Sequence, residues 1–145
     1  MEADGKLRSI VITGANKGIG YVTIERIIEE KTPYDIILTA RNTQRGQDAL
    51  ASLLRNHKSS QSKLTFRELD VSDSKSIDNF VSWVKEKRNG NIDVLVNNAG
   101  VNTEKTVSDR LNVIDVDLSG AIELTEKLLP YLASDGKIIM ISSQN

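Results

Sequence analysis

The chain has 145 residues, a formal net charge of -1 and 39% hydrophobic residues, which suits one globular domain with a buried core. It has no cysteine and one histidine, which excludes disulfide frameworks, thiolate metal sites and histidine clusters. The balanced charge argues against a nucleic-acid partner. No signal peptide or long apolar run is found, so we expect a cytoplasmic protein with no membrane partner.

The first half of the chain alternates short apolar segments with helical patterns. Residues 9–13 form a β-branched run that predicts a buried strand, and residues 18–31 have apolar positions at helical spacing. A second strand is predicted at residues 35–40, and Asn42 can cap the helix that follows it. Residues 64–69 alternate as a third strand would.

The second half continues this alternation with a helix, a strand, a long helix and a last strand. The helix is predicted to begin at Ser72 or Asp73, and the strand to cover residues 92–96. The long helix is predicted to run to about Leu132, with a possible break near Asp109. The last strand is predicted to lie within residues 136–142. Strands that alternate with helices of this length predict βαβ units around a parallel sheet.

The predicted fold is therefore a doubly wound α/β domain with strand order 3-2-1-4-5. Residues 1–145 read as one domain, because no linker, repeat or low-complexity tract divides them. The last predicted strand would be an open and apolar sheet edge, which natural domains usually cover. We therefore expect a domain that is incomplete at its C-terminal end and lacks further strands.

A glycine-rich turn at residues 13–20 lies between the first predicted strand and the first predicted helix. Its glycines permit a tight turn, let backbone N–H groups approach a pyrophosphate, and allow close packing of helix on sheet. The positive end of the helix dipole would face the phosphates. The alternative is a helix start with incidental glycines. The candidate cofactor-binding residues here are Gly14, Asn16, Lys17, Gly18, Ile19 and Gly20.

The residues after the second strand bear on which dinucleotide would bind. An NAD site usually ends this strand with an acid for the ribose 2′-hydroxyl, whereas here the strand ends in Ala40 and Arg41. Arg41 and Lys17 are two cations that could bind a 2′-phosphate, which favours NADP(H). The alternative is a pair of solvated surface cations.

Four ordered motifs resemble those of the short-chain dehydrogenase/reductase superfamily, a family with a Rossmann-type fold. They are the turn TGANKGIG, Leu69-Asp70-Val71 after the third strand, Asn97-Asn98-Ala99-Gly100 after the fourth, and the segment IIMISS in the fifth. The resemblance implies that Asp70 and Val71 contact the adenine and that the NNAG motif lines the cofactor cleft. Lys17 and the segment LTARNTQRGQDAL look like the carbonyl reductase branch, which includes monomeric NADPH-dependent enzymes that reduce aldehydes, ketones and quinones.

By the same resemblance, Ser143 would hydrogen-bond a small-molecule carbonyl substrate. The family usually has an asparagine in a proton relay where this chain has Asp117. Its proton donor is the tyrosine of a Y-x-x-x-K motif, but no tyrosine of this chain is followed by lysine at that spacing. We therefore expect the chain to be the cofactor-binding half of a reductase, with the catalytic serine, and to be inactive alone.

Two other hypotheses compete with the reductase. The chain could be a non-catalytic module that binds NADP or acts through protein contacts at its open sheet edge. It could also be marginally folded and prone to aggregation because of that edge. The expected oligomeric state is a monomer for a carbonyl reductase-like protein and a homo-oligomer otherwise.

Overall fold

Alternating strands and helices build one parallel sheet with helices on both faces. The computed structural model describes residues 5–87, 90–99 and 107–141. In chain order the elements are β1 Ser9–Ile12, α1 Gly18–Glu29, β2 Asp35–Ala40, α2 Thr43–Asn56, β3 Lys63–Glu68, α3 Ser74–Lys87, β4 Ile92–Asn97, α4 Val107–Leu128, a 3-10 turn Leu129–Tyr131, and β5 Leu132–Met140.

The sheet order is β3-β2-β1-β4-β5, with every neighbouring pair parallel. This confirms the predicted doubly wound fold and its strand order. The chain leaves β1 toward β2 on one side and returns to β4 on the other, so the order reverses between β1 and β4. In sheets of this type the crevice outside the carboxyl ends of the strands at that reversal is where ligands bind.

Two apolar layers hold the sheet. On one face α1 and α2 bury a cluster that includes Ile12, Ile24, Ile36, Leu38 and Leu53. On the other face α3 and α4 bury a second cluster that includes Val11, Ile77, Phe80, Leu95 and Leu124. All six residues of β2 are buried, because this strand is covered by helices and flanked by strands on both sides.

The end of α4 differs from the prediction. The helix runs without the expected break near Asp109 and ends at Leu128 instead of continuing to Leu132. Pro130 explains the early end, because proline cannot donate the backbone hydrogen bond that the next helical turn needs. The chain makes a 3-10 turn there instead.

The strand β5 begins at Leu132, earlier than the predicted segment at residues 136–142. Its register with β4 shifts, because Ile92 pairs with Leu132 whereas Val94 pairs with Lys137. Residues 133–136 therefore bulge, and the regular pairing covers the stretch from Lys137 onward. The polar composition of this bulge concealed the start of the strand.

A polar network joins α3 to α4 at the surface. The Nζ atom of Lys127 donates to Asp78 Oδ1 at 2.5 Å and to Glu123 Oε1 at 3.0 Å, and Ser74 Oγ donates to Glu123 Oε2 at 3.0 Å. The bonds to Asp78 and Glu123 raise the pKa of Lys127. The bonds from Lys127 and Ser74 lower the pKa of Glu123.

Among the described residues, no helix combines the length and the hydropathy that a membrane span requires.

Candidate functional site

The glycine-rich turn connects the carboxyl end of β1 to the first turn of α1. Gly14 and Gly18 both have φ of +59°, in the left-handed region that side chains disfavour. Lys17 is the N-cap of α1 and makes no side-chain capping bond. The first N–H groups of a helix have no partner within it, so the start of α1 presents donors that suit an anion.

Two of the glycines are needed because the segment after β4 packs directly on the turn. A Cβ atom at Gly14 would lie 2.7 Å from the Cα of Ala99, and one at Gly20 would lie 2.6 Å from the Nδ2 of Asn98. Side chains do not fit at these distances, so Gly14 and Gly20 permit the close approach of the two segments. A Cβ at Gly18 would meet no atom within 4 Å, so the space above this residue is open.

Hydrogen bonds join the turn to the predicted NNAG segment. The Oγ1 of Thr13 accepts from the backbone N–H of Asn98 at 2.9 Å and of Ala99 at 2.8 Å. In return Asn98 Nδ2 donates to the carbonyl oxygens of Thr13 and Gly14, both at 3.1 Å. The two segments therefore form one rigid wall of the crevice. Sequence reasoning missed Thr13, because its partners lie far along the chain.

Asn97 is buried at the carboxyl end of β4. Its Nδ2 donates to Thr125 Oγ1 of α4 at 3.0 Å and approaches Met140 Sδ of β5 at 3.2 Å. Its buried Oδ1 has no hydrogen-bond partner among the described residues. The side chain thus joins β4 to α4 and β5 behind the crevice. Thr125 was not predicted as part of this arrangement.

The two cations proposed for a 2′-phosphate follow the carboxyl ends of adjacent strands. Lys17 lies in the turn after β1 and Arg41 directly after β2, and both are exposed. In the described part of the chain neither forms an ion pair with a carboxylate. Asn42 caps α2 by accepting from Arg45 N at 2.9 Å, so the N-terminus of α2 also opens beside Arg41.

Asp70 and Val71 follow β3 at the same edge of the sheet. Asp70 Oδ1 accepts from the backbone N–H of Ser72 at 3.0 Å and from its hydroxyl at 2.6 Å, which fixes the carboxylate in a tight turn. Val71 is buried, and a Cβ at Gly120 would lie 2.2 Å from its carbonyl oxygen. Gly120 therefore allows α4 to pack against this turn.

The remaining predicted site residues have no described side chains. Gly100 and Ser143 lie outside the described residues, and Asp117 lies within α4 with its side chain outside the description. The structure thus brings together Gly14, Gly20, Asn98 and Ala99 by direct contact. It places Lys17, Arg41 and Asp70 after the carboxyl ends of three adjacent strands, and Asn97 at the carboxyl end of the next strand, β4.

None of the three tyrosines lies in this crevice. The hydroxyl of Tyr21 donates to Ser52 Oγ of α2 at 3.0 Å, within the helical layer. Tyr34 directly precedes β2, and Tyr131 directly precedes β5 and packs on Gly90. The last two are at the amino end of the sheet, opposite the glycine-rich turn.

Comparisons with known proteins agree with this geometry. A family model described as short chain dehydrogenase matches residues 8–145. The short-chain dehydrogenase/reductase tropE of Talaromyces stipitatus is 34% identical over 140 residues, covering 92% of this chain and 52% of that protein. Carbonyl reductase (NADPH) 1 of Bos taurus is 33% identical over 138 residues, covering 92% of this chain and 48% of that protein.

A solved structure shares the fold. L-sorbose reductase from Gluconobacter frateurii, complexed with NADPH and L-sorbose, superimposes with a TM-score of 0.75 at 27% identity, over 93% of this chain and 52% of that chain. The chain thus spans about half the length of the curated relatives it matches. The family model covers nearly the whole chain, and the chain therefore belongs to the short-chain dehydrogenase/reductase family.

Proposed function

We propose that this chain binds NADPH in the crevice and is the cofactor-binding half of a reductase that acts on aldehydes, ketones or quinones. One observation carries the proposal. The turn with two left-handed glycines opens onto the start of α1, beside two exposed cations and with no acid at the end of β2. Relatives with NADPH in their names or as a bound ligand support the choice of cofactor.

The pyrophosphate of the cofactor fits the start of α1. Gly18 is exposed, and a side chain there would project into open space. A phosphate group in that space would meet the backbone donors and the positive end of the helix dipole. Asn16 and Ile19 belong to the same turn, and Ile19 is 62% exposed, so it would cover an apolar part of the cofactor.

The 2′-phosphate fits the ends of β1 and β2. Lys17 and Arg41 would bind it, the lysine as a compact charge and the arginine through its planar fork of donors. The N-terminus of α2 adds a favourable dipole. An acid at the end of β2 would repel this phosphate, and the chain has none there.

The other predicted residues would complete the site. Asp70 and Val71 would contact the adenine, and the segment from Asn97 to Gly100 would line the cleft beside the nicotinamide. NADPH would supply the hydride for carbonyl reduction. Ser143 would hydrogen-bond the carbonyl oxygen, and Asp117 would take the place of a relay residue. We propose these last two roles from family resemblance.

Replacing Arg41 tests the choice of cofactor. Arg41→Ala removes a charge-assisted contact with the 2′-phosphate, and such contacts are worth about 1.5–3 kcal/mol. We expect NADPH to bind roughly 10- to 100-fold more weakly, with the affinity for NADH unchanged. Titration of each nucleotide by its fluorescence or by calorimetry measures both affinities.

Lys58→Ala is the matched control, because Lys58 is an exposed cation on the loop after α2. It should leave both affinities unchanged. An equal loss of NADPH and NADH affinity in Arg41→Ala, or a loss of the same size in Lys58→Ala, would contradict the 2′-phosphate assignment.

A further inference from the structure

The last residue of β3, Glu68, is an acid beside the proposed 2′-phosphate site. Its partner across the sheet is Ala40, the last residue of β2, and Arg41 follows Ala40 directly. Adjacent strands lie about 4.8 Å apart, so the side chains of Glu68 and Arg41 leave neighbouring strands at the same end of the sheet. Glu68 was not among the residues predicted from sequence, because only the register between β2 and β3 places it there.

A hydrogen bond holds the carboxylate of Glu68 at the start of α2. Its Oε2 atom accepts from Thr43 Oγ1 at 3.1 Å, and Thr43 is the first residue of the helix. The first turn of α2 contains no acidic residue, so Glu68 provides from β3 the negative charge that a helix N-terminus favours. A 2′-phosphate bound by Arg41 would be attracted by the same helix end.

The charge of Glu68 is not neutralised by a neighbouring cation. In the described part of the chain, Glu68 forms no ion pair with a lysine or an arginine. The guanidinium of the adjacent Arg67 lies 5.1 Å from the centroid of the Trp83 ring, on the side of the sheet that carries α3, because side chains alternate along a strand. Glu68 therefore keeps a full negative charge at the start of α2.

The position of Glu68 is set by a single unit of β2, α2 and β3. This unit lies on the side of the sheet opposite β5, since the strand order is β3-β2-β1-β4-β5. A further strand beside β5 would leave the pairing of Glu68 with Ala40 and its hydrogen bond with Thr43 unchanged. The relation of the acid to Arg41 is therefore independent of the strands on the other side of the sheet.

We propose that Glu68 limits how strongly the site selects NADPH over NADH, and that Thr43 keeps its carboxylate from pairing with Arg41. This inference rests on the proposed function. A 2′-phosphate bound by Arg41 lies within about 10 Å of the carboxylate, a distance comparable to the Debye length at physiological salt, so the repulsion between them is only partly screened. NADH has a neutral hydroxyl at this position and is not repelled.

Glu68→Gln tests the repulsion, because it removes the charge and keeps a side-chain oxygen for the hydroxyl of Thr43. We expect the dissociation constant of NADPH to fall about three- to tenfold and that of NADH to stay unchanged. Glu86→Gln is the matched control, since Glu86 is an exposed acid near the other end of the sheet, in the last turn of α3. It should change neither constant. Calorimetric titration measures both, and circular dichroism checks that each variant is folded.

Thr43→Val tests the restraint on the carboxylate. The variant lacks the hydroxyl that donates to Glu68, so the carboxylate can pair with Arg41 and compete with the phosphate. An exposed ion pair of this kind should weaken NADPH binding about two- to fivefold. The same substitution in a Glu68→Gln background should have no effect on NADPH binding. An equal loss in both backgrounds would show that the hydroxyl of Thr43 binds the nucleotide directly, and would overturn the restraining role.

The outcomes separate the role of Glu68 from the choice of cofactor. If the unsubstituted chain prefers NADPH and Glu68→Gln leaves NADPH binding unchanged, weakens it, or tightens NADPH and NADH equally, the role of Glu68 is overturned and the proposed function is not. If neither the unsubstituted chain nor Glu68→Gln binds NADPH, the proposed function and the role of Glu68 are overturned together.

Discussion

Replacing Gly14 and Gly18 by alanine, one at a time, separates two reasons for glycine in the turn. Both residues have φ of +59°, which costs a residue with a side chain about 1–2 kcal/mol. A Cβ at Gly18 meets no atom within 4 Å, so this strain is the whole cost. A Cβ at Gly14 would lie 2.7 Å from the Cα of Ala99, and the displaced backbone adds about 1–3 kcal/mol.

We therefore expect the free energy of unfolding to fall by about 1–2 kcal/mol in Gly18→Ala and by about 2–5 kcal/mol in Gly14→Ala. Urea unfolding followed by circular dichroism measures both, and a domain with about 5–15 kcal/mol of stability leaves room for the comparison. NADPH binding should show the opposite order. Gly18→Ala should weaken it more than Gly14→Ala does, because the new methyl group at residue 18 occupies the space proposed for the pyrophosphate. Equal losses of stability in the two variants would refute the contact between the turn and Ala99.

Two further predictions concern the hydrogen bonds that Thr13 accepts from Asn98 and Ala99, and the reductase activity of the chain. Thr13→Val removes the acceptor for the N–H groups of Asn98 and Ala99 and should lower the free energy of unfolding by about 1–3 kcal/mol. Thr13→Ser keeps a hydroxyl at this position and should retain most of that free energy. An unchanged free energy of unfolding in Thr13→Val would contradict the role of Thr13. The 145-residue chain should not oxidise NADPH with a quinone or an aldehyde, because none of its three tyrosines lies in the crevice; turnover above a reaction without protein would show that another group donates the proton.

The fold could be predicted because each strand can be recognised from its own residues and their immediate neighbours. The β-branched run at β1 and the buried segment Asp35–Ala40 are separated by a helical pattern, and right-handed crossovers then leave few possible topologies. The glycine turn was predictable for a related reason, since its position between a strand and a helix is visible in sequence. These features depend on neighbours along the chain.

The missed features depend on partners far apart in sequence. Nothing near Thr13 indicates that its hydroxyl will accept from the amides of Asn98 and Ala99. The bulge in β5 is defined by its pairing with β4. Without knowledge of that pairing, the polar residues of the bulge are typical of a loop.

The central claim is that the crevice recognises the 2′-phosphate of NADPH. It is tested most directly by titrating the unsubstituted 145-residue chain with NADPH and with NADH under identical salt conditions. Because Lys17 and Arg41 have no acidic counterpart at the end of β2, NADPH should bind at least about tenfold more tightly. Equal affinities, tighter binding of NADH, or binding of neither nucleotide would contradict the account.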